Sequence, residues 1–332
     1  MIMRHWGAIM RHRLRVIALA CLCALATAPA AAQEFPSRTI RIIVPFPAGG
    51  PTDILSRIVA QRMSEVWGQP VVVENRPGGD TAIGAQQVAK AAPDGYTLLA
   101  AMDTTLVLNP ATKTSLSYDP FKDFAAITLA AKNTSLLMVR ADDGPKTIKE
   151  LIARGKANPG KLNYGAGIIT TRLAGYMFNR TAGLDMQLIP YKGSAEVVQG
   201  LLTGAVDYII DGVASSLPLV RGGKFRALAK LNNRPLPTLP DVPPLSVAAE
   251  MPALEDMSSW IAFVAPAGTP RPIIDKIQRE VAKMYADPAV YDRLEKAGLN
   301  PVSSTPDEFD AFFRQEAVRW KKAFDDSGIK LD

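Results

Sequence analysis

Residues 45–53, PFPAGGPTD, follow the apolar run TIRIIV and precede the helix-like ILSRIVAQRM. After a β-strand, Gly49 and Gly50 permit backbone angles closed to other residues, and Pro51 suits the first position of a helix. The free N–H groups of such a loop and first turn point past the carboxyl end of the strand, where ligands lie in an open α/β sheet and where an anion is favoured. Asp53 falls at the third helical position, from which its carboxylate can cap the loop by accepting an N–H. Read alone, the segment also fits a purely structural turn, because neither a phosphate-loop lysine nor a G-x-G-x-x-G accompanies it.

Other strand ends carry the same chemistry. AAMDTT (100–105) places Asp103, Thr104 and Thr105 after a strand, and NYGAGIITTR (163–172) places a glycine-rich turn, Thr170 and Thr171 before a helix. Hydroxyls and backbone amides converging from two sides hold a carboxylate without any catalytic group. Arg172 either supplies a charge-assisted bidentate bond or is a surface arginine. Asp103 argues against a purely anionic ligand; it pairs with an ammonium or caps its turn. YKGS (191–194) and IDG (210–212) end two further strands, with Lys192 either solvent-exposed or in contact with a ligand.

Catalysis finds little material. Both histidines (His5, His12) and both cysteines (Cys21, Cys23) fall within the first 32 residues. There Arg4, Arg11, Arg13 and Arg15 precede the uncharged VIALACLCALA, and small residues follow near Ala30 and Ala32, the layout of a cleaved secretory signal rather than a membrane span. The exported chain then has no His or Cys, which removes His-based acid/base catalysis, thiol nucleophiles, disulfides and most zinc or iron ligand sets. No G-x-S-x-G or H-E-x-x-H is present. The expectation is a protein that is not an enzyme and uses neither cofactor nor metal. Removing the leader's four arginines turns a formal charge of +6 into 34 − 32 = +2, with no basic run interleaved with aromatics for nucleic acid.

These turns need elements to position them. TIRIIV, PVVVEN and YTLLAA read as strands separated by helices over ILSRIVAQRM and AIGAQQVAKAA, and near-continuous apolar strands of this kind mark a parallel sheet covered on both faces. FAAITLAAKNTSLLMVR supplies two strands around KNTS. Thr147 with Glu150 forms a capping box before TIKELIARGKAN. LNYG, MQLIPY and VDYIID alternate with helices as a second α/β unit, after which 233–255, with six prolines, is a surface connection. SSWIAFVAP is a strand that returns to the first lobe. Thr269 caps a helix with Pro270 first, and Thr305, Pro306 and Glu308 open another whose Phe309, Phe312, Phe313, Ala317, Trp320 and Phe324 form one packing face. The division expected is a leader at 1–32, a first lobe at 33–133 completed by 256–332, and a second lobe at 134–255.

TIRIIVPFPAGGPTDILSRIVA, VVVENRPGGDTAIGA, LNPATKTSLSYDPFKDFAAIT, PYKGSAEVVQGLLTGAVDYIID, WIAFVAPAGTPRPII and EAVRWKKAFDDSGIKLD together resemble the Bug/TctC family. These are extracytoplasmic, periplasmic solute-binding proteins of tripartite tricarboxylate transporters. The resemblance spans the chain beyond the leader. It implies an α/β, two-lobed periplasmic-binding-protein fold of type II-like organisation, each lobe a sheet flanked by helices. The lobes close over one small organic acid held by loop amides, hydroxyls and water. It also implies a two-subunit membrane permease as partner; the alternative reading is a sensor component that presents the ligand to a membrane signalling protein, and a monomer is expected. Carried over by residue, the first-lobe site falls on Phe46, Ala48, Gly49, Gly50, Asp53, Asp103 and Thr104. The second-lobe site falls on Tyr164, Gly165, Ala166, Gly167, Thr170, Thr171, Arg172, Tyr191, Lys192, Gly193 and Asp211. Two departures stand out. YGAGIITTRL is two residues shorter than the usual loop, lacks its serine and has Arg172 where His is common, while Glu196 and Gly200 replace a usual Pro and Asp. The shortened loop is expected to reshape the second-lobe half of the pocket.

Overall fold

The apolar runs segregate into two sheets. The computed structural model describes residues 34–255 and 257–327, so the leader and its cleavage point lie outside the described residues. Everything below concerns Arg38 onward, a compact unit by itself. β1 (Ile40–Val44), α1 (Pro51–Trp67), β2 (Val71–Asn75), α2 (Ala82–Ala89) and β3 (Thr97–Met102) form a parallel β-α-β-α-β start. A π-helical turn at Thr104–Leu108 and the short α3 (Asn109–Thr112) lead to β4 (Phe124–Asn133). One residue later β5 (Ser135–Arg140) begins in the other sheet. The second sheet grows through α4 (Ile148–Ala157), β6 (Leu162–Ala166), α5 (Ile169–Ala182), β7 (Met186–Pro190), α6 (Ser194–Leu202), β8 (Tyr208–Gly212), α7 (Val213–Arg221) and β9 (Phe225–Lys230). The chain then passes through α8 (Leu245–Ala248) and returns as β10 (Ser259–Pro266), followed by α9 (Arg271–Met284), α10 (Pro288–Lys296), β11 (Leu299–Pro301) and α11 (Pro306–Ser327).

Among the described residues the first sheet has the order β11-β4-β10-β3-β1-β2 and the second β7-β6-β8-β5-β9. β10 is inserted antiparallel between β3 and β4, so the returning strand lies in the middle of the first sheet. All eight of its residues are buried, as an interior strand covered on both faces requires. The aromatics of α11 close that sheet: Phe309, Phe313 and Trp320 are buried in one cluster with Trp260 of β10. Both indole N–H groups, of Trp260 and Trp320, donate to Glu316 Oε2 at 3.2 and 3.0 Å, satisfying the polar end of each ring.

Local signals set the helix ends. Thr305 and Glu308 form a reciprocal capping box, with N–H···O distances of 3.2 and 2.8 Å. At α4 only half of the expected box forms: Thr147 Oγ1 accepts the Glu150 N–H, while the Glu150 carboxylate takes the N–H of Lys146 instead. Thr269 does not cap α9. Its hydroxyl donates back to the Pro266 carbonyl, and Pro270 is itself the N-cap, one position earlier than its φ preference suggested. α7 and β9 have no counterpart in the sequence reading. Pro218 lies inside α7, and an internal proline obscures a helical pattern.

The second sheet has a tightly fitted seam. Gly175 of α5 sits over the Tyr164 ring, and a Cβ there would come within 2.4 Å of a ring carbon. Gly175→Ala is therefore expected to lower unfolding stability by about 1–3 kcal/mol in denaturant titration, because overpacking outweighs the better helix propensity of alanine. A stability equal to or above the parent's would show that the ring is free to move.

The crossing point between the sheets is a small polar knot. Thr134, fully buried, donates its N–H to Gly298 O and accepts from Val213 N, both at 3.1 Å. Its hydroxyl accepts from Asn232 Nδ2 at 3.2 Å and Asn300 Nδ2 at 3.1 Å. Three separate segments, at Val213, Asn232 and Gly298 to Asn300, thus meet at one residue between β4 and β5.

Candidate functional site

A cleft of about 480 Å³ opens between the two sheets. One wall is the loop between β1 and α1, from Phe46 to Thr52, with Met102 and Asn133 beside it. The other is built from Ser135, the loop Gly167–Ile168, Thr171, the turn Gly193–Glu196, and Asp211 to Ser215. Four helices begin at this cavity: α1 at Pro51, α5 at Ile169, α6 at Ser194 and α7 at Val213. The first N–H groups of a helix lack intrahelical acceptors and carry the positive end of its dipole, equivalent to roughly half a charge each. The cleft therefore presents positive potential from backbone alone. Among the described residues its lining contains no lysine or arginine.

The β1–α1 loop is held in place from behind. Gly49 adopts φ +86, a left-handed conformation that favours glycine. Its N–H donates to Asp53 Oδ2 at 3.0 Å, and the same carboxylate accepts from Arg57 Nε at 3.0 Å and from Asn75 Nδ2 at 3.0 Å. Asn75 also holds the Phe46 carbonyl at 3.1 Å. Burial pushes the Asp53 pKa up, but hydrogen bonds from Arg57, Gly49 and Asn75 outweigh it, and the net shift is downward. Asp53 braces the loop, and the cleft is lined by its neighbour Thr52.

Asp211 plays the corresponding part in the second wall. It is 6 % exposed and accepts from Ser194 Oγ at 2.8 Å, Ser215 Oγ at 2.6 Å and Ser216 Oγ at 3.3 Å. Burial raises its pKa, opposed by the bonds from Ser215 and Ser194. Ser194 and Ser215 line the cavity directly.

Several residues carried over from sequence lie elsewhere. The Tyr164 side chain is in the core of the second sheet, stacked on Tyr208 at 5.3 Å, because its strand position faces away from the cleft. Gly165 and Ala166 are interior strand residues: a Cβ on Gly165 would meet the Tyr191 ring, and Ala166 is fully buried. Asp103 is fully buried behind the cleft, where it joins the two sheets' elements. Its Oδ2 accepts from Thr170 Oγ1 at 2.9 Å, its Oδ1 from the Thr104 N–H at 2.8 Å, and the two threonine hydroxyls are 3.3 Å apart. Burial is the main cause that moves the Asp103 pKa up to about 7.

Arg172, Tyr191 and Lys192 line a neighbouring cavity of about 580 Å³ with Asp80 and the Gly78–Gly79 turn. Arg172 Nη2 donates to the Tyr191 carbonyl at 2.9 Å, and Nη1 is 3.9 Å from Asp80 Oδ1. Its charge is engaged there and does not reach the first cleft. Phe46, Pro47, Gly167, Ile168 and Glu196 border both cavities. Phe46, Ala48, Gly49, Gly50, Gly167, Thr171, Gly193 and Asp211 are brought together around the first cleft. The reading from sequence missed Asn133, Ser135, Ser194 and Ser215. The serine of YKGS was the one available signal, since it opens a helix at a strand end. Among the described residues no group of three or more His, Cys, Asp or Glu side chains is placed to hold a metal ion.

The lobes touch across the cleft. Gly193 lies against Pro47 and Gly212 against Pro51; a Cβ added to either glycine would stand 3.1 or 3.0 Å from the proline Cγ.

Two mixed sheets flanked by helices, with helix N-termini facing across an inter-sheet cleft, define a two-lobed periplasmic-binding-protein fold. The chain belongs to the tripartite tricarboxylate transporter family of receptors, the TctC family, whose model matches residues 55–329. It is 33% identical over 326 residues to Protein BugT of Bordetella pertussis, covering 97% of this chain and 99% of that one. It is 32% identical, with a TM-score of 0.86, to the R. palustris protein Rpa4515 solved with adipate, covering 89% and 99% of the two chains. It is 30% identical, with a TM-score of 0.80, to MatC from Rhodopseudomonas palustris with bound malate, covering 87% and 99%.

Proposed function

We propose that this protein binds one small organic acid in the cleft between its lobes, without transforming it, and delivers it to a membrane permease from outside the cytoplasm. The observation that carries the reading is the convergence of four helix N-termini on one cavity whose described lining has no cation. Backbone N–H groups and dipoles hold a carboxylate in such a setting and offer no group for catalysis. Gly49 and Gly50 let the carboxylate approach the loop amides, and Gly167 and Ile168 approach it from the second lobe. Residues 38–133 with 257–327 act as one rigid body and 134–255 as the other, with the knot at Thr134 as hinge. The leader at 1–32 supplies export. The adipate and malate held by family relatives support a carboxylate as ligand.

Calorimetry with a panel of small carboxylic acids and their neutral amides tests the reading. Carboxylates are expected to bind and to lose at least about tenfold in affinity as amides, since a charge-assisted bond is about twice as strong as a neutral one. Equal or tighter binding of the amides would remove the anion from the account.

A further inference from the structure

The second-lobe wall of the cleft is built of acceptors. Ser194 and Ser215 each donate their one hydroxyl proton to Asp211, so each offers the cavity lone pairs only. Asn133, 2 % exposed, lines the same cavity with its side-chain carbonyl buried and unpartnered, while its amide group donates to Ser259 Oγ. Glu196 borders the cavity with one carboxylate oxygen on the Lys192 N–H at 3.0 Å. The two cationic side chains nearest in the chain, Arg172 and Lys192, line the neighbouring cavity instead.

Charge arithmetic points the same way. α5, α6 and α7 each bring roughly half a positive charge to this wall. The Asp211 carboxyl, just before the start of α7 and hydrogen-bonded to Ser194 of α6, opposes that sum. Glu196 adds a carboxylate at the rim that this wall shares with the neighbouring cavity. The first-lobe loop differs, because Asp53 is neutralised by Arg57 behind it at 2.9 Å and the α1 N-terminus remains positive. The cleft is thus polarised, with an anion-favouring end at Gly49–Gly50 and an acceptor-lined end at Ser194, Glu196, Ser215 and Asn133.

Building on the proposed binding of an organic acid, we infer that the ligand carries a single carboxylate and, at its other end, a protonated amine. The carboxylate lies on the first-lobe loop and the ammonium donates to Glu196, the two serine oxygens and the Asn133 carbonyl. Dicarboxylates place a second anion against these acceptors and are disfavoured.

The test is calorimetry with ω-amino acids, dicarboxylates and simple monocarboxylates matched in chain length: 4-aminobutyrate, succinate and butyrate, then the five- and six-carbon sets. At the length that fits, the amino acid is expected to bind at least about tenfold tighter than the dicarboxylate or the monocarboxylate. Glu196→Gln, at an exposed position, is expected to cut that preference about fivefold. A dicarboxylate or monocarboxylate that binds as tightly as the amino acid overturns the inference and leaves the carboxylate reading standing. So does an amino-acid preference that survives Glu196→Gln unchanged. Failure of all three sets overturns the inference and the carboxylate reading together.

Discussion

Replacing Gly193 and Gly212 together by valine is expected to lower ligand affinity at least about 100-fold, which is ~2.7 kcal/mol, with little change in folding stability. Neither position needs glycine for its own backbone: Gly193 is extended at φ 177 and Gly212 has φ −66, both accessible to valine. What each position needs is closeness to the opposite lobe. A Cβ at Gly193 or Gly212 already stands 3.1 or 3.0 Å from Pro47 or Pro51, and the further methyls of valine enter the space of those prolines. The clash vanishes when the lobes separate, so the variant folds but the closed form becomes rare, and affinity falls with the fraction of closure-competent molecules. Calorimetry measures the affinity against whichever small acid binds the parent best, and thermal unfolding supplies the control. Unchanged affinity would mean that binding does not require the closed arrangement.

The second large effect concerns Asp103. Its pKa in the folded protein, up to about 7 chiefly through burial, stands above the 3.8 of an unperturbed carboxyl. Between about pH 4 and pH 7 the folded state holds a proton that the unfolded state has released. Stability therefore falls as pH rises through that window and levels off above it, by up to about 4 kcal/mol for this group. Asp211, raised by the same cause, contributes with the same sign. Asp103→Asn imitates the protonated carboxyl: its carbonyl accepts the Thr104 N–H and its amide donates to Thr170. The variant is expected to lose most of the slope and to be more stable than the parent at pH 8. Denaturant titrations of both proteins at pH 5, 6, 7 and 8 decide this, and parallel profiles would show that Asp103 does not titrate in that range.

The parts of the site that were legible from sequence are those fixed locally. A strand, a Gly-Gly-Pro turn and a helix with Asp53 at its third position define the first-lobe loop within a dozen residues, and Asp53 does accept the Gly49 N–H. The box at Thr305 and Glu308 is equally local. What escaped depends on distant partners. Asn133 and Ser135 reach the cleft because β4 passes into β5 there, a tertiary event with no local signature. The acceptor character of Ser194 and Ser215 exists because Asp211 takes both protons. Arg172 is drawn away by the Tyr191 carbonyl and Asp80. Tyr164 follows the alternation of its strand into the core, although Gly167, three residues on, belongs to the loop.

The central claim, that the cleft holds a small acid on backbone donors from facing lobes, is tested most directly by the protein's own cargo. Freshly purified protein is denatured, and the small molecules it releases are identified by mass spectrometry. The account predicts a stoichiometric small carboxylic acid, released by the parent and retained far less by the Gly193/Gly212 double valine variant. A neutral solute released in stoichiometric amount, or an acid retained equally by both proteins, would contradict it.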